Sequence, residues 1–101
     1  MIYCLAVPGP IEDVEEVRVL EWHFAEGESL AAGELLVELE TYKALVEVRA
    51  AQAGVLRRIS ANAGEWRQLG QVLGLLSDAE DEPLPADDAQ PPLWEVRFEV
   101  C

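Results

Sequence analysis

The chain has 101 residues and a mass of 11.2 kDa, with seven basic residues against twenty acidic ones, a net charge of −13 and a pI near 4.2. That length predicts one domain with room for a tail, since domains run roughly 50–250 residues, and a core too small to enclose a deep, many-walled catalytic pocket. The acidic balance argues against nucleic acid and anionic membrane surfaces, which need clustered Lys and Arg, and favours solubility or encounter with a basic protein patch.

In chain order, the start Met1-Ile2-Tyr3-Cys4-Leu5-Ala6-Val7 lacks the basic n-region of a signal peptide and reads as a first strand. Leu20, Trp22 and Phe24 then alternate with Glu21 and His23, which places His23 outward on a strand and the aromatics, with Trp66 further on, in packing roles. Leu35, Val37 and Leu39 alternate with Leu36, Glu38 and Glu40, and Val46 and Val48 with Glu47 and Arg49. Val55, Arg57 and Ile59 fit one face less cleanly, whereas Val72 to Leu76 reads as a nearly buried strand. Short, glycine-punctuated runs with a period of two, and no helical stripe, predict an all-β domain over residues 1–77. From 78 to 92, acids and prolines predict an extended linker, because such a segment cannot bury apolar surface. Alternation resumes over residues 93–101, predicting a strand that docks on its own body, pairs with a second copy in a homodimer, or binds a partner. No run of ~18 apolar residues predicts a bilayer-spanning helix. Cys4 and Cys101 have no metal-ligand spacing, and His23 adds no third ligand, so both cysteines read as incidental thiols.

An internal repeat strengthens the fold prediction. A shift of 37 residues carries Gly27-Glu28 and Gly33 onto Gly64-Glu65 and Gly70, Val19 onto Leu56, Trp22 onto Ile59, and Leu35-Leu36 onto Val72-Leu73. Two matching halves predict two small sheets packed with approximate two-fold symmetry. The connection between the halves contains Lys43, the sole lysine, in Glu40-Thr41-Tyr42-Lys43-Ala44. In a two-fold arrangement this hairpin would point away from the junction after Ser77. A lysine that acts as a nucleophile must be neutral, which requires burial or cationic neighbours; flanking Glu40 and Glu47 supply neither. Covalent attachment of a group carrier such as lipoate or biotin needs only an exposed amine on a rigid tip, with the chemistry belonging to the cofactor. No nucleophile, base and orienter set suggests a catalyst.

Glu40-Thr41-Tyr42-Lys43-Ala44, then Val46-Glu47-Val48 and Ala53-Gly54-Val55-Leu56, resembles the lipoyl domain of 2-oxo-acid dehydrogenase complexes, whose pattern at the modified lysine is Glu-Thr/Ser-Asp-Lys-Ala. The resemblance covers about residues 3–77. It implies a flattened barrel, or sandwich, of two four-stranded sheets (a barrel-sandwich hybrid), and lipoate amide-linked to Lys43 by a lipoyl ligase or transferase. The dithiolane would then cycle between disulfide, acylated and dithiol forms. It also implies partners: a 2-oxo-acid decarboxylase, and an acyltransferase or dihydrolipoamide dehydrogenase. Two features depart from the pattern. Tyr42 stands where the family has Asp, and the loop Pro8-Gly9-Pro10-Ile11-Glu12-Asp13-Val14-Glu15-Glu16 is stiffer and more acidic than the family's glycine-rich one. The chain so read is a free-standing carrier, or a domain working in trans, in a bacterial cytoplasm. The alternatives are a biotin carrier, a unit like the glycine-cleavage H-protein, or an unmodified scaffold on the same fold. Biotin carriers flank their lysine with Met, unlike Tyr42 and Ala44.

Overall fold

The computed structural model describes residues 1–84 and 91–100, so residues 85–90 of the expected linker and Cys101 lie outside the described residues. Among the described residues nine strands form: β1 Ile2–Ala6, β2 Glu16–Trp22, β3 Ser29–Leu30, β4 Leu35–Glu40, β5 Leu45–Ala50, β6 Gly54–Ile59, β7 Trp66–Gln68, β8 Val72–Ser77 and β9 Val96–Val100. They make two antiparallel sheets, ordered β1-β8-β6-β3 and β7-β2-β4-β5-β9. The all-β, two-sheet architecture is thus as expected, with one difference: the second sheet has five strands. Without β9, the second sheet reversed reads β5-β4-β2-β7, the same pattern as the first.

The repeat is realised bond for bond. Gly27 donates its N–H to the Leu56 carbonyl, and Gly64 donates to the Val19 carbonyl, both at 2.7 Å. The two glycines adopt φ of 93° and 91°, a region that side chains other than glycine enter only with strain. Glu28 and Glu65 each accept from the backbone N–H three residues earlier, Ala25 and Asn62, at 2.7 and 2.6 Å. The Asn62 N–H is the leading cause that holds the Glu65 carboxyl below the usual carboxylate range. Bulges recur too, in β2 between Val19 and Glu21 and in β6 between Leu56 and Arg58. A bulge adds one residue to one strand and changes which face the following side chains occupy. Hence Val19 and Leu56 are buried, Arg57 is displaced, and Ile59 returns inward to pack on the core. The face read as Val55, Arg57 and Ile59 is corrected on this ground. Strand β2 ends at Trp22, so Phe24 and His23 sit in the bend that follows rather than on the strand.

The core lies between the sheets: Leu5, Val17, Val19, Leu36, Val37, Leu39, Val46, Val48, Leu56, Leu73 and Leu76 are completely buried. Residues 92–100 close its open side. Trp94 donates its N–H to the Cys4 carbonyl and Cys4 donates its own to the Pro92 carbonyl, both at 2.8 Å, and Leu93 bridges Cys4 in parallel, which covers the edge of β1. Strand β9 covers the edge of β5, with Val100, Phe98 and Val96 opposite the inward-facing Val46, Val48 and Ala50. One segment therefore covers one edge of each sheet, β1 in the first and β5 in the second, which would otherwise present unpaired backbone groups. Among the three expectations for this segment, the strand docks on its own body. The start of the expected linker is also engaged. Asp78 lies 3.2 Å from the Met1 ammonium, which Glu82 also pairs with, and these bonds raise the ammonium pKa, Glu82 being the leading cause.

Candidate functional site

Thr41, Tyr42, Lys43 and Ala44 form the tip between β4 and β5. Two-residue hairpins favour turns with positive φ at the centre, whose twist matches the strands. Among the described residues Asp13 is the sole non-glycine residue with positive φ, so Tyr42 and Lys43 do not follow that rule. Thr41 compensates. Its backbone N–H donates to the Ala44 carbonyl at 2.8 Å, and its buried Oγ1 accepts from the N–H groups of Lys43 and Ala44 at 3.1 and 2.9 Å. One hydroxyl thus satisfies two turn donors and fixes the direction in which Lys43 projects. Replacing Thr41 with Val keeps the shape and removes the acceptor. We expect a loss of about 1–3 kcal/mol in urea unfolding, the range for stranding buried donors, with faster amide exchange at Lys43 and Ala44.

Lys43 carries its amine outward, with its side chain 43% exposed. Its Nζ lies 3.9 Å from Asp13 Oδ2 and 5.6 Å from the centre of the Tyr42 ring. Both contacts are weak at an exposed site, about 0–1 kcal/mol each, so converting the amine to a neutral amide disturbs the fold little. The residues fit an amide-linked group on this criterion. They do not fit a nucleophilic lysine, which needs a dry enclosure.

Neighbouring strands hold the tip. Arg18 on β2 pairs in register with Glu40, its Nε donating to Oε1 at 2.6 Å, and anchors the first letter of the tip to the sheet. Asp13 belongs to the acidic loop before β2, and its φ of 61° is one that Asp tolerates better than most residues. The structure therefore gathers Glu40, Thr41, Tyr42, Lys43 and Ala44, as chain neighbours must, and adds Arg18 and Asp13, which sequence reasoning did not place there. The alternation read from Leu20 to Phe24 does not reach Arg18, so nothing in that pattern marks it. Trp66 is corrected more sharply. Expected in packing, it stands on edge strand β7 and is 49% exposed, in register with Arg18.

Away from the tip, His23 Nε2 lies 2.7 Å from Glu38 Oε1, and Glu21 stands opposite Glu38 across the strands. Donor atoms of the three fall within 4.8 Å of one another, so two carboxylates, unlike the cysteines, come within reach of His23. Cys4 is buried, and desolvation raises its thiol pKa.

A small β sandwich with internal two-fold symmetry, displaying its one lysine on a stitched hairpin tip, defines an attachment domain. Comparison agrees: the family described as "Biotin-requiring enzyme" matches residues 4–76, and the chain belongs to this biotin/lipoyl attachment family. Over 89 residues the chain is 32% identical to the dihydrolipoyllysine-residue succinyltransferase component of the 2-oxoglutarate dehydrogenase complex of Bacillus subtilis, covering 85% of this chain and 21% of that protein. It is 39% identical over 72 residues to the corresponding component of Staphylococcus saprophyticus, covering 71% and 17%. The mitochondrial pyruvate dehydrogenase protein X component of Mus musculus is 32% identical over 91 residues, covering 85% and 18%. The chain thus spans about a fifth of the length of these relatives. Among the described residues no helix is long and apolar enough to cross a membrane.

Proposed function

We propose that Lys43 is the attachment residue, that the attached group is lipoate, and that the domain carries acyl or related groups between the active sites of other enzymes. The observation that carries this reading is the sole lysine of the chain, exposed on a tip that Thr41 and Arg18 hold rigid. Relatives named as dihydrolipoyllysine components support lipoate over biotin, as do Tyr42 and Ala44 in place of Met. When bound, lipoate supplies a dithiolane whose sulfurs take up and release the acyl group. The chain itself holds the attachment amine away from the core, keeps Glu40 paired and leaves the tip open to a partner's active site. It acts as a carrier and not as a catalyst.

The partners in this reading are a lipoyl ligase or transferase, a 2-oxo-acid decarboxylase, and an acyltransferase or dihydrolipoamide dehydrogenase. The names of the relatives support the complex, and the net charge of −13 suits a partner that offers a basic patch. A bacterial cytoplasmic location goes with it, supported by the organisms of the two succinyltransferase relatives. Intact-mass measurement of the chain incubated with lipoate, ATP and a lipoyl ligase tests the reading. We expect one lipoyl adduct, located on Lys43 by peptide mapping. A biotin adduct detected by avidin instead would overturn the choice of cofactor, and an unmodified chain would overturn the carrier role.

A further inference from the structure

Beside the tip lies an open cleft of about 800 Å³. Tyr42, 73% exposed, and Trp66 line it, together with Val14 and Gln68. Tyr42 and Trp66 stand out among the exposed large apolar side chains of the described residues because both face one cavity. Scattered exposed apolar residues need no explanation, whereas two aromatics on one cleft mark a surface that something covers. Asp13 lines the same cleft and lies 3.9 Å from Lys43 Nζ, so any group built on that nitrogen starts at the mouth.

We propose that this cleft is a resting groove for the uncharged arm on Lys43, the aliphatic chain and its two sulfurs, as dithiolane or as dithiol, lying against Tyr42 and Trp66. The proposal rests on the reading that Lys43 bears lipoate. Continuity singles out this occupant: the arm is tethered at the mouth, so its local concentration in the cleft is high without any affinity shared with another molecule. The chemistry matches as well. Ring sulfurs make favourable contacts with aromatic side chains. A neutral arm does not oblige the exposed carboxylates of Asp13, Glu15 and Glu16, which also line the cleft, to leave water. Amide formation also frees Asp13 from its ion pair with Nζ, which clears the entry. An acid at position 42, as the family pattern has, would put a charge on the wall; Tyr42 leaves that wall uncharged. Contacts of this kind are weak, so the arm leaves when a partner engages it, while between transfers the reactive sulfurs are shielded.

The test uses the full chain, lipoylated and checked by intact mass, beside lipoylated Tyr42→Ala and Trp66→Ala forms. After reduction, alkylation of the arm by iodoacetamide is followed on the peptide containing Lys43. We expect either variant to react about two- to tenfold faster than the parent, the factor that loss of a sulfur–aromatic contact implies. In nitrogen-15 correlation spectra of the parent, lipoylation should shift the Trp66 indole and Gln68 amide signals. Equal alkylation rates in all three proteins with unmoved Trp66 and Gln68 signals overturn the groove, give the cleft to a partner protein, and leave the carrier role standing. Failure to obtain any adduct overturns both.

Discussion

Lys43→Arg should give a folded protein that takes up no lipoate and carries nothing. Arginine keeps the positive charge and most of the length, and so preserves attraction to Asp13 and stacking on Tyr42. It cannot form the amide. In the carrier reading all transfer passes through one nitrogen, and no second lysine can substitute. The effect is therefore all or none: no adduct in intact mass, and no reduction of the arm by dihydrolipoamide dehydrogenase and NADH above the unmodified background. Stability should move by less than about 0.5 kcal/mol, as for exposed substitutions away from caps and cores. That combination separates this reading from an unmodified scaffold on the same fold. A scaffold would lose nothing with Lys43→Arg, since charge and shape are retained.

Much of this site could be read from the letters alone, for a physical reason. A hairpin tip is local: Thr41 stitches residues two and three positions ahead, so Glu40 to Ala44 already contains the turn and its amine. The repeat was equally legible, because Gly27 and Gly64 are required by positive φ and leave matching letters in both halves. What could not be read is set by register. The bulges after Val19 and Leu56 change inward and outward faces mid-strand, and nothing in a period-two pattern announces them. Arg18 and Trp66 come to the tip through pairing of strands distant in sequence, and Asp13 through the loop that leads into β2. Core or half-buried packing of Trp66 is expected because aromatics usually pack, but on edge strand β7 it is Arg67 that is half-buried, and Trp66 on the alternate face is exposed. The fifth strand of the second sheet was visible as an alternating run, but its place on β5 depends on which edge was left open, a property of the assembled sheets.

That closure makes Trp94→Ala the largest expected stability effect. Trp94 is 3% exposed, stands edge-on to Tyr3 with ring centres 5.2 Å apart, and rests on Gly54, where a Cβ would overlap the indole. Its backbone joins Cys4, so this one residue pins the segment that covers β1 and leads into β9. Truncating a buried tryptophan costs about 3–5 kcal/mol, a large part of the ~5–15 kcal/mol that holds a domain together. For a domain of this size each 1 kcal/mol lowers Tm by about 4–8 °C, so a fall of more than ~12 °C is expected by circular dichroism. Amide exchange should also quicken first in β9 and in the edge of β5 that it covers, before the rest of the sandwich opens. Trp94→Phe provides the contrast. Among the described residues the indole Nε1 is buried with no hydrogen-bond partner, a burden of about 1–3 kcal/mol that phenylalanine does not carry. Relief from that burden offsets part of the lost contact area, so Trp94→Phe should fall well short of half the alanine effect. An alanine variant as stable as the parent would show that the C-terminal segment lies on the sandwich without holding it. A phenylalanine variant as unstable as the alanine one would show instead that the indole nitrogen has a partner.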